Sequence, residues 1–307
     1  IGVSVKPTAD NTCGETVWAS GPISGEVLWK AGTYTGVSER SDRLRSMKQL
    51  LLVASENGVF LTADNETVVG LDLRTGKERF RSPLRLSGKT STICHQGVLL
   101  IGDKGSLSAI DAETGTLRWQ NKFGSLGGTD VPGVFGVGDV VWVGDRVAME
   151  MTALDIATGK AARTLSIEKV LANAGHHHRC YPNKSTVNYL ITGRRAAEFT
   201  NYETGEVTLN HWARGQCRYG LMPANGLLYK LPDPCTCHLK AKLLGFYALA
   251  SGDTAERFFR DNLSTGRSTS QRQSLWRCSK RELLICKSVA RIPPRLSAQQ
   301  LCEDRSS

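Results

Sequence analysis

No stretch of this 307-residue chain approaches the ~18 consecutive apolar residues that a helix needs to cross a bilayer, which argues against a helical membrane span. The first residues, IGVSVKPTADNTCGE, lack the basic segment and apolar run of a secretory signal. The chain opens on Ile rather than Met, so a processed form or a fragment is expected. Neither C-x-x-C nor H-E-x-x-H occurs, and no two cysteines are adjacent, so the commonest zinc and thiol-redox spacings are missing. A sustained 3.6-residue hydrophobic period is missing as well, which argues against a helical solenoid. No nucleic-acid-binding motif accompanies the net charge of +10.

What is present is glycine, short apolar runs and a modest surplus of cysteine. Hydrophobic residues make up 40% of the chain, enough for a substantial core. Half of the charge excess lies after Gly252, where eleven lysines and arginines face six acidic residues. Nine cysteines favour an oxidising, extracytoplasmic compartment such as the periplasm or cell envelope. Their connectivity is not derivable from spacing.

The chain repeats itself. SLSAIDAETGTLRW, from Ser106 to Trp119, has sisters in VVGLDLRTGKERF, MTALDIATGKAART and AAEFTNYETGEVTL, and worn copies in ASGPISGEVLW and GFYALASGD. The glycines Gly25, Gly76, Gly115, Gly159, Gly205 and Gly252 recur with a period of about 45 residues. Each copy reads as an alternating apolar strand, a tight Asp-x-x-Thr-Gly turn and a second strand. Asp72, Asp111 and Asp155 are expected to accept hydrogen bonds from backbone NH groups two or three residues on, with the glycine left-handed. A further strand precedes each turn. Several short strands per unit fit the four-stranded blade of a β-propeller. Trp29, Phe80 and Trp119 each stand four residues after a turn glycine and are expected to fill the gap between neighbouring sheets.

On these residues the chain resembles the PQQ-like, or quinoprotein-dehydrogenase-like, β-propeller family, whose Ala-x-Asp-x-x-Thr-Gly-x-x-x-Trp motif marks each blade and whose Trp docks one blade on the next. The resemblance runs from about Ser20 to Gly252, and GHHHRC with the C-x-C stretch is similar to a subgroup of bacterial multidomain proteins. It implies an all-β propeller of four-stranded blades, about six recognisable units in residues 1–252, partial relative to the eight blades usual for the family. Residues 253–307 are expected to be a basic, poorly ordered tail or the product of a shifted reading frame.

The family implies two functions. Its dehydrogenases hold pyrroloquinoline quinone and calcium, with the quinone clamped by a disulfide of adjacent cysteines; here Thr236 separates Cys235 from Cys237. Other members, like the outer-membrane assembly lipoprotein, are binding scaffolds. A non-catalytic scaffold is therefore the leading expectation. Its expected partners are a protein or small-molecule ligand at the propeller funnel and other domains of a longer parent chain, with nucleic acid disfavoured. A PQQ-dependent oxidoreductase is the alternative.

A third reading is a metal-binding enzyme centred on His176 to Cys180, where His176, His177 and His178 are half of the six histidines. On an extended strand His176, His178 and Cys180 share one face, and imidazole and thiolate are ligands for a transition metal. His211, Cys217, Cys235, Cys237 and His238 supply further candidates, though CTCH falls one residue short of a haem-attachment motif. The competing reading is structural, with imidazoles bonded to backbone and cysteines paired. Arg179, Arg214 and Arg218 are candidates for an anionic ligand.

Overall fold

The computed structural model describes residues 2–7, 13–35, 51–63, 66–86, 90–103, 105–122, 133–144, 150–166, 168, 182–193, 197–210, 213–216, 219–232, 243, 245–251, 275–276 and 284–286. It forms two compact units, Ile1–Leu171 and Ala172–Ser307.

Among the described residues the first unit holds four antiparallel sheets, each built from strands consecutive in the chain. The first is three-stranded: β1 (Gly2–Pro7), β2 (Cys13–Ser20) and β3 (Val27–Thr35). The second runs β4 (Leu51–Ser55), β5 (Gly58–Ala63), β6 (Thr67–Leu71) and β7 (Glu78–Pro83). The third runs β8 (Ser91–His95), β9 (Val98–Asp103), β10 (Ser106–Asp111) and β11 (Leu117–Lys122). The fourth runs β12 (Gly133–Val137), β13 (Val140–Gly144), β14 (Glu150–Asp155) and β15 (Ala161–Ser166). Strands β4 and β12 both pack beside β8, so the leading strands of successive sheets meet, as blades do around a propeller axis.

The second unit has a sheet of β16 (Lys184–Ser185), β17 (Tyr189–Thr192), β18 (Ala197–Asn201) and β19 (Val207–Asn210). A five-stranded sheet follows: β20 (Leu221–Ala224), β21 (Leu227–Lys230), β22 (Tyr247–Ala250), β23 (Leu275–Trp276) and β24 (Leu284–Cys286), with β24 paired to β22 and β23 outside it. Two short stretches of residues 253–307 are thus strands extending the last sheet. The rest of that segment lies outside the described residues.

One feature of the strands differs from simple alternation. In β9 every residue is buried, because both faces of the sheet are covered. Val98 and Leu100 pack toward the fourth sheet with Val134, Val141 and Val143. Leu99 and Ile101 pack toward the second with Phe60 and Val68. Likewise Val59 and Leu61 face Val17 and Trp29 of the first sheet while Phe60 faces the third. A middle strand of a stacked blade therefore reads as a continuous apolar run, the pattern of a sheet covered on both sides, and each fully buried Leu or Ile stabilises by about 1.5–3 kcal/mol.

Candidate functional site

The repeated turn is the best-defined polar feature, and its geometry follows from the residues. Asp111 Oδ1 accepts from the NH of Glu113 at 3.0 Å, the NH of Thr114 at 2.8 Å and the Thr114 hydroxyl at 3.0 Å. Asp72 does the same with Arg74 and Thr75 at 3.1 and 2.7 Å, and Asp155 with Thr158 at 2.8 Å. The glycines that close these turns, Gly76, Gly115 and Gly159, have φ of 68°, 76° and 71°, the left-handed region that a Cβ resists. The expected caps and glycine conformations are thus in place. Arg118 adds two contacts to Asp111 Oδ2, at 2.6 and 3.2 Å. Held first by Arg118 and then by the turn donors, the Asp111 carboxyl is lowered to about 2. Asp72 and Asp155 are lowered chiefly by the hydroxyls of Thr75 and Thr158.

In the second unit Asn201 fills the aspartate position, accepting from Glu203 and Thr204 NH at 2.8 and 3.0 Å. Sequence reading did not single it out. The signal was its place four residues before Gly205, since an amide oxygen caps as a carboxylate does.

The aromatic residues close the sheets on one another. Trp29 lies on Gly76, Phe80 on Gly115 and Trp119 on Gly159, where an added Cβ would stand 2.6 Å from Trp119 Cδ2. Trp29 Nε1 donates to Leu73 O at 3.0 Å and Trp119 Nε1 to Ile156 O at 2.9 Å. Each ring lies opposite a small residue on the adjoining strand: Ala19 pairs Trp29, Gly70 pairs Phe80 and Ala109 pairs Trp119. In the fourth sheet Arg163 takes the ring's place opposite Ala153. Its guanidinium lies over the Trp142 ring of its own sheet, 4.9 Å from the centroid.

At the ends of the leading strands, His95 Nε2 is 2.8 Å from Gly138 O and Gln96 Nε2 donates to Asp139 Oδ1 at 3.2 Å. Arg79 Nη2 donates to Ala112 O at 3.0 Å and to Asn57 O, tying the second sheet to the third. Cys94 is a free, half-buried thiol with Sγ 3.9 Å from Asn57 Oδ1, and burial raises its pKa. None of these residues was legible as a site.

Of the candidates chosen from sequence, His176, His178, Cys180, His211, Cys217, Cys235, Cys237, His238, Arg179 and Arg218 lie outside the described residues. Arg214 lies within them and is 1% exposed. It stands two residues before Gln216, which forms an antiparallel bridge with Gly220. Gly215 permits that closure, since a Cβ there would stand 2.5 Å from the Gly220 carbonyl carbon. Glu198 and Lys230 are buried in the same unit: Glu198 Oε2 accepts from the Thr192 hydroxyl at 2.9 Å and Lys230 Nζ donates to Leu231 O at 2.8 Å. Tyr202 OH is 2.9 Å from Ser185 Oγ, and burial pushes its pKa up to about 12. Among the described residues no three His, Cys, Asp or Glu side chains gather into a metal-holding group, and no helix is long and apolar enough to cross a membrane.

Four-stranded meanders, a capped Asp-x-x-Thr-Gly turn and a ring docked on the next turn's glycine define a β-propeller built of PQQ-like repeats. The chain belongs to the family described as outer membrane protein assembly factor BamB, whose model matches residues 13–178. Among solved structures it is similar to BamB from Moraxella catarrhalis, at 14% identity and a TM-score of 0.45 over 74% of this chain and 66% of that one. It is also similar to the computationally designed Ika8 protein, at 16% identity and a TM-score of 0.48 over 74% of this chain and 64% of that one. A third, the designed Ika4 protein, is 18% identical with a TM-score of 0.37 over 62% of this chain and 99% of that one. This chain thus spans slightly under two thirds of the first two. No curated protein matches it in sequence.

Proposed function

We propose that the chain is a non-catalytic β-propeller module that binds a protein partner outside the cytoplasm. One observation carries the reading: among the described residues, the carboxylates whose acidity is displaced, Asp72, Asp111 and Asp155, are bound to donors of their own turns. A displaced pKa in a cleft marks a catalytic candidate; here the displacement has a local structural cause and serves the fold. The family description, an outer membrane assembly factor, supports a protein partner and a cell-envelope location. Fold alone does not fix function.

The test separates this reading from a quinoprotein oxidoreductase. Purified chain is incubated with pyrroloquinoline quinone and calcium, then assayed for a bound-quinone absorbance band and for dye reduction with alcohols. The expected result is neither. A retained quinone band with calcium-dependent dye reduction overturns the scaffold reading.

A further inference from the structure

The seam between the second and third sheets carries buried hydroxyls at positions where its sister seams are apolar. Thr62 Oγ1, Thr90 Oγ1 and Thr92 Oγ1 are shut off from solvent, and among the described residues no donor or acceptor reaches them. Thr62 as a whole is 1% exposed. Register and strand alternation place the three in one seam. Thr62 pairs with Val68 and lies two residues beyond Phe60. Thr92 pairs with Ile101 and lies two residues before Cys94. Phe60, Val68, Ile101 and Cys94 belong to one packed cluster, together with Leu84 and Leu86. Thr90 lies two residues before Thr92 at the start of β8, the strand beside which β4 packs.

The neighbouring sheets show what these positions hold elsewhere. The first hairpins of the second, third and fourth sheets end in the pairs Ser55–Gly58, His95–Val98 and Val137–Val140. Three residues before them stand Leu52, Thr92 and Val134; Leu52 packs against the first sheet's cluster and Val134 lies in the cluster joining the third and fourth sheets. Four residues after Gly58, Val98 and Val140 stand Thr62, Gly102 and Gly144. Valine has the shape of threonine without the hydroxyl, so packing gives no reason for the oxygen at Thr62 or Thr92.

We infer that this seam holds ordered water that bridges the second and third sheets through the Thr62, Thr92 and Thr90 hydroxyls. A buried hydroxyl gives up its bonds to solvent on folding and costs free energy unless another partner replaces them. All three groups are neutral, and each both donates and accepts, which is the pattern water matches. A buried water takes about two to four polar partners, and β5 on one sheet with β8 and its preceding residue on the other supply them. The bridge holds whether or not the module is catalytic.

Oxygen-17 magnetic relaxation dispersion on the full chain reads water held for longer than the protein tumbles, and it does not respond to hydroxyl protons. Thr62→Val and Thr92→Val should each lower the long-lived-water amplitude by the same amount, and the double variant should lower it no further, because the two hydroxyls hold the same water. Thr62→Ser and Thr92→Ser keep the hydroxyl and should keep the amplitude. The urea midpoint should fall in the valine variants; hydroxyls that were buried dry would make it rise. The inference is overturned by a valine variant that keeps the wild-type amplitude, by losses that add in the double variant, by an equal loss in the serine variants, or by a raised midpoint. A wild-type chain with no long-lived-water amplitude overturns it without any variant.

Discussion

Two alanine substitutions at glycines of the same backbone shape separate conformational strain from ring docking. Gly25 and Gly159 have φ of 69° and 71°, so alanine meets the same left-handed penalty at each, about 1 kcal/mol. At Gly25 the new methyl enters open space; at Gly159 it would stand 2.6 Å from Trp119 Cδ2 and 2.7 Å from Cε3, so the ring must leave its seat. Overpacking of that kind costs about 1–3 kcal/mol, and displacement would also stretch the 2.9 Å bond from Trp119 Nε1 to Ile156 O. Gly25→Ala should therefore cost about 1 kcal/mol and Gly159→Ala about 2–4 kcal/mol. In a Trp119→Ala background the Gly159→Ala penalty should fall back to about 1 kcal/mol, a coupling expected of residues in contact. Equilibrium urea denaturation followed by far-ultraviolet circular dichroism reads all four variants. Equal costs for Gly25→Ala and Gly159→Ala, or no coupling with Trp119, would refute the assignment of that ring to that glycine.

At Asp111, asparagine keeps the oxygen that caps the turn and loses the pairing with Arg118, whereas alanine loses both; Asp111→Ala should cost about 1–2 kcal/mol and Asp111→Asn under about 1 kcal/mol in denaturant titration. With its folded pKa lowered to about 2, Asp111 contributes stability that is complete above the unfolded value near ~4 and lost as pH falls through the folded value; acid titration of Asp111→Asn should show a shallower loss there. Tyr202 has the opposite sign. Its pKa of about 12 exceeds the unfolded value, so the second unit should lose stability as pH rises from about 10 toward 12, and Tyr202→Phe should flatten that loss. Arg163→Ala should cost about 0.5–1 kcal/mol through its stacking on Trp142, with the cost vanishing in a Trp142→Leu background.

The repeat could be read from sequence because its chemistry is local. A carboxylate caps NH groups two and three residues away, and a glycine takes the φ that the turn requires, so Asp72, Asp111 and Asp155 announce themselves without tertiary knowledge. The position of Trp29 or Trp119 after the glycine was equally visible, but its destination on Gly76 or Gly159 lies a whole repeat away. The burial of β9 on both faces was hidden for the same reason, since it depends on which sheets stack beside it. Arg79, His95 and Gln96 join neighbouring sheets through backbone carbonyls or single side chains, and no spacing rule links such partners in sequence. The histidines and cysteines from His176 to His238 were conspicuous by residue type alone, and residue type without geometry put the structural reading ahead of the metal one without naming a site.

The worn first copy separates which parts of the repeat make the turn and which make the seat. Gly21 stands where the sister copies have Asp72, Asp111 or Asp155, so the side-chain cap is gone; still the two backbone hydrogen bonds persist at 2.9 Å, and Ser24 Oγ accepts from Glu26 NH at 3.2 Å in place of the threonine contact. The aspartate therefore stabilises a turn whose shape the backbone already permits. Trp29 and Trp119, by contrast, use the bare glycine and the carbonyl of the turn's second residue, and Gly25 and Pro22 stand at those positions in the first copy. Losing the cap costs about 1 kcal/mol of local stability, while losing the glycine would fill the seat with a methyl group. A copy without its aspartate but with its glycine thus keeps the backbone of the turn, with φ 69° at Gly25, while giving up the side-chain contribution to its rigidity.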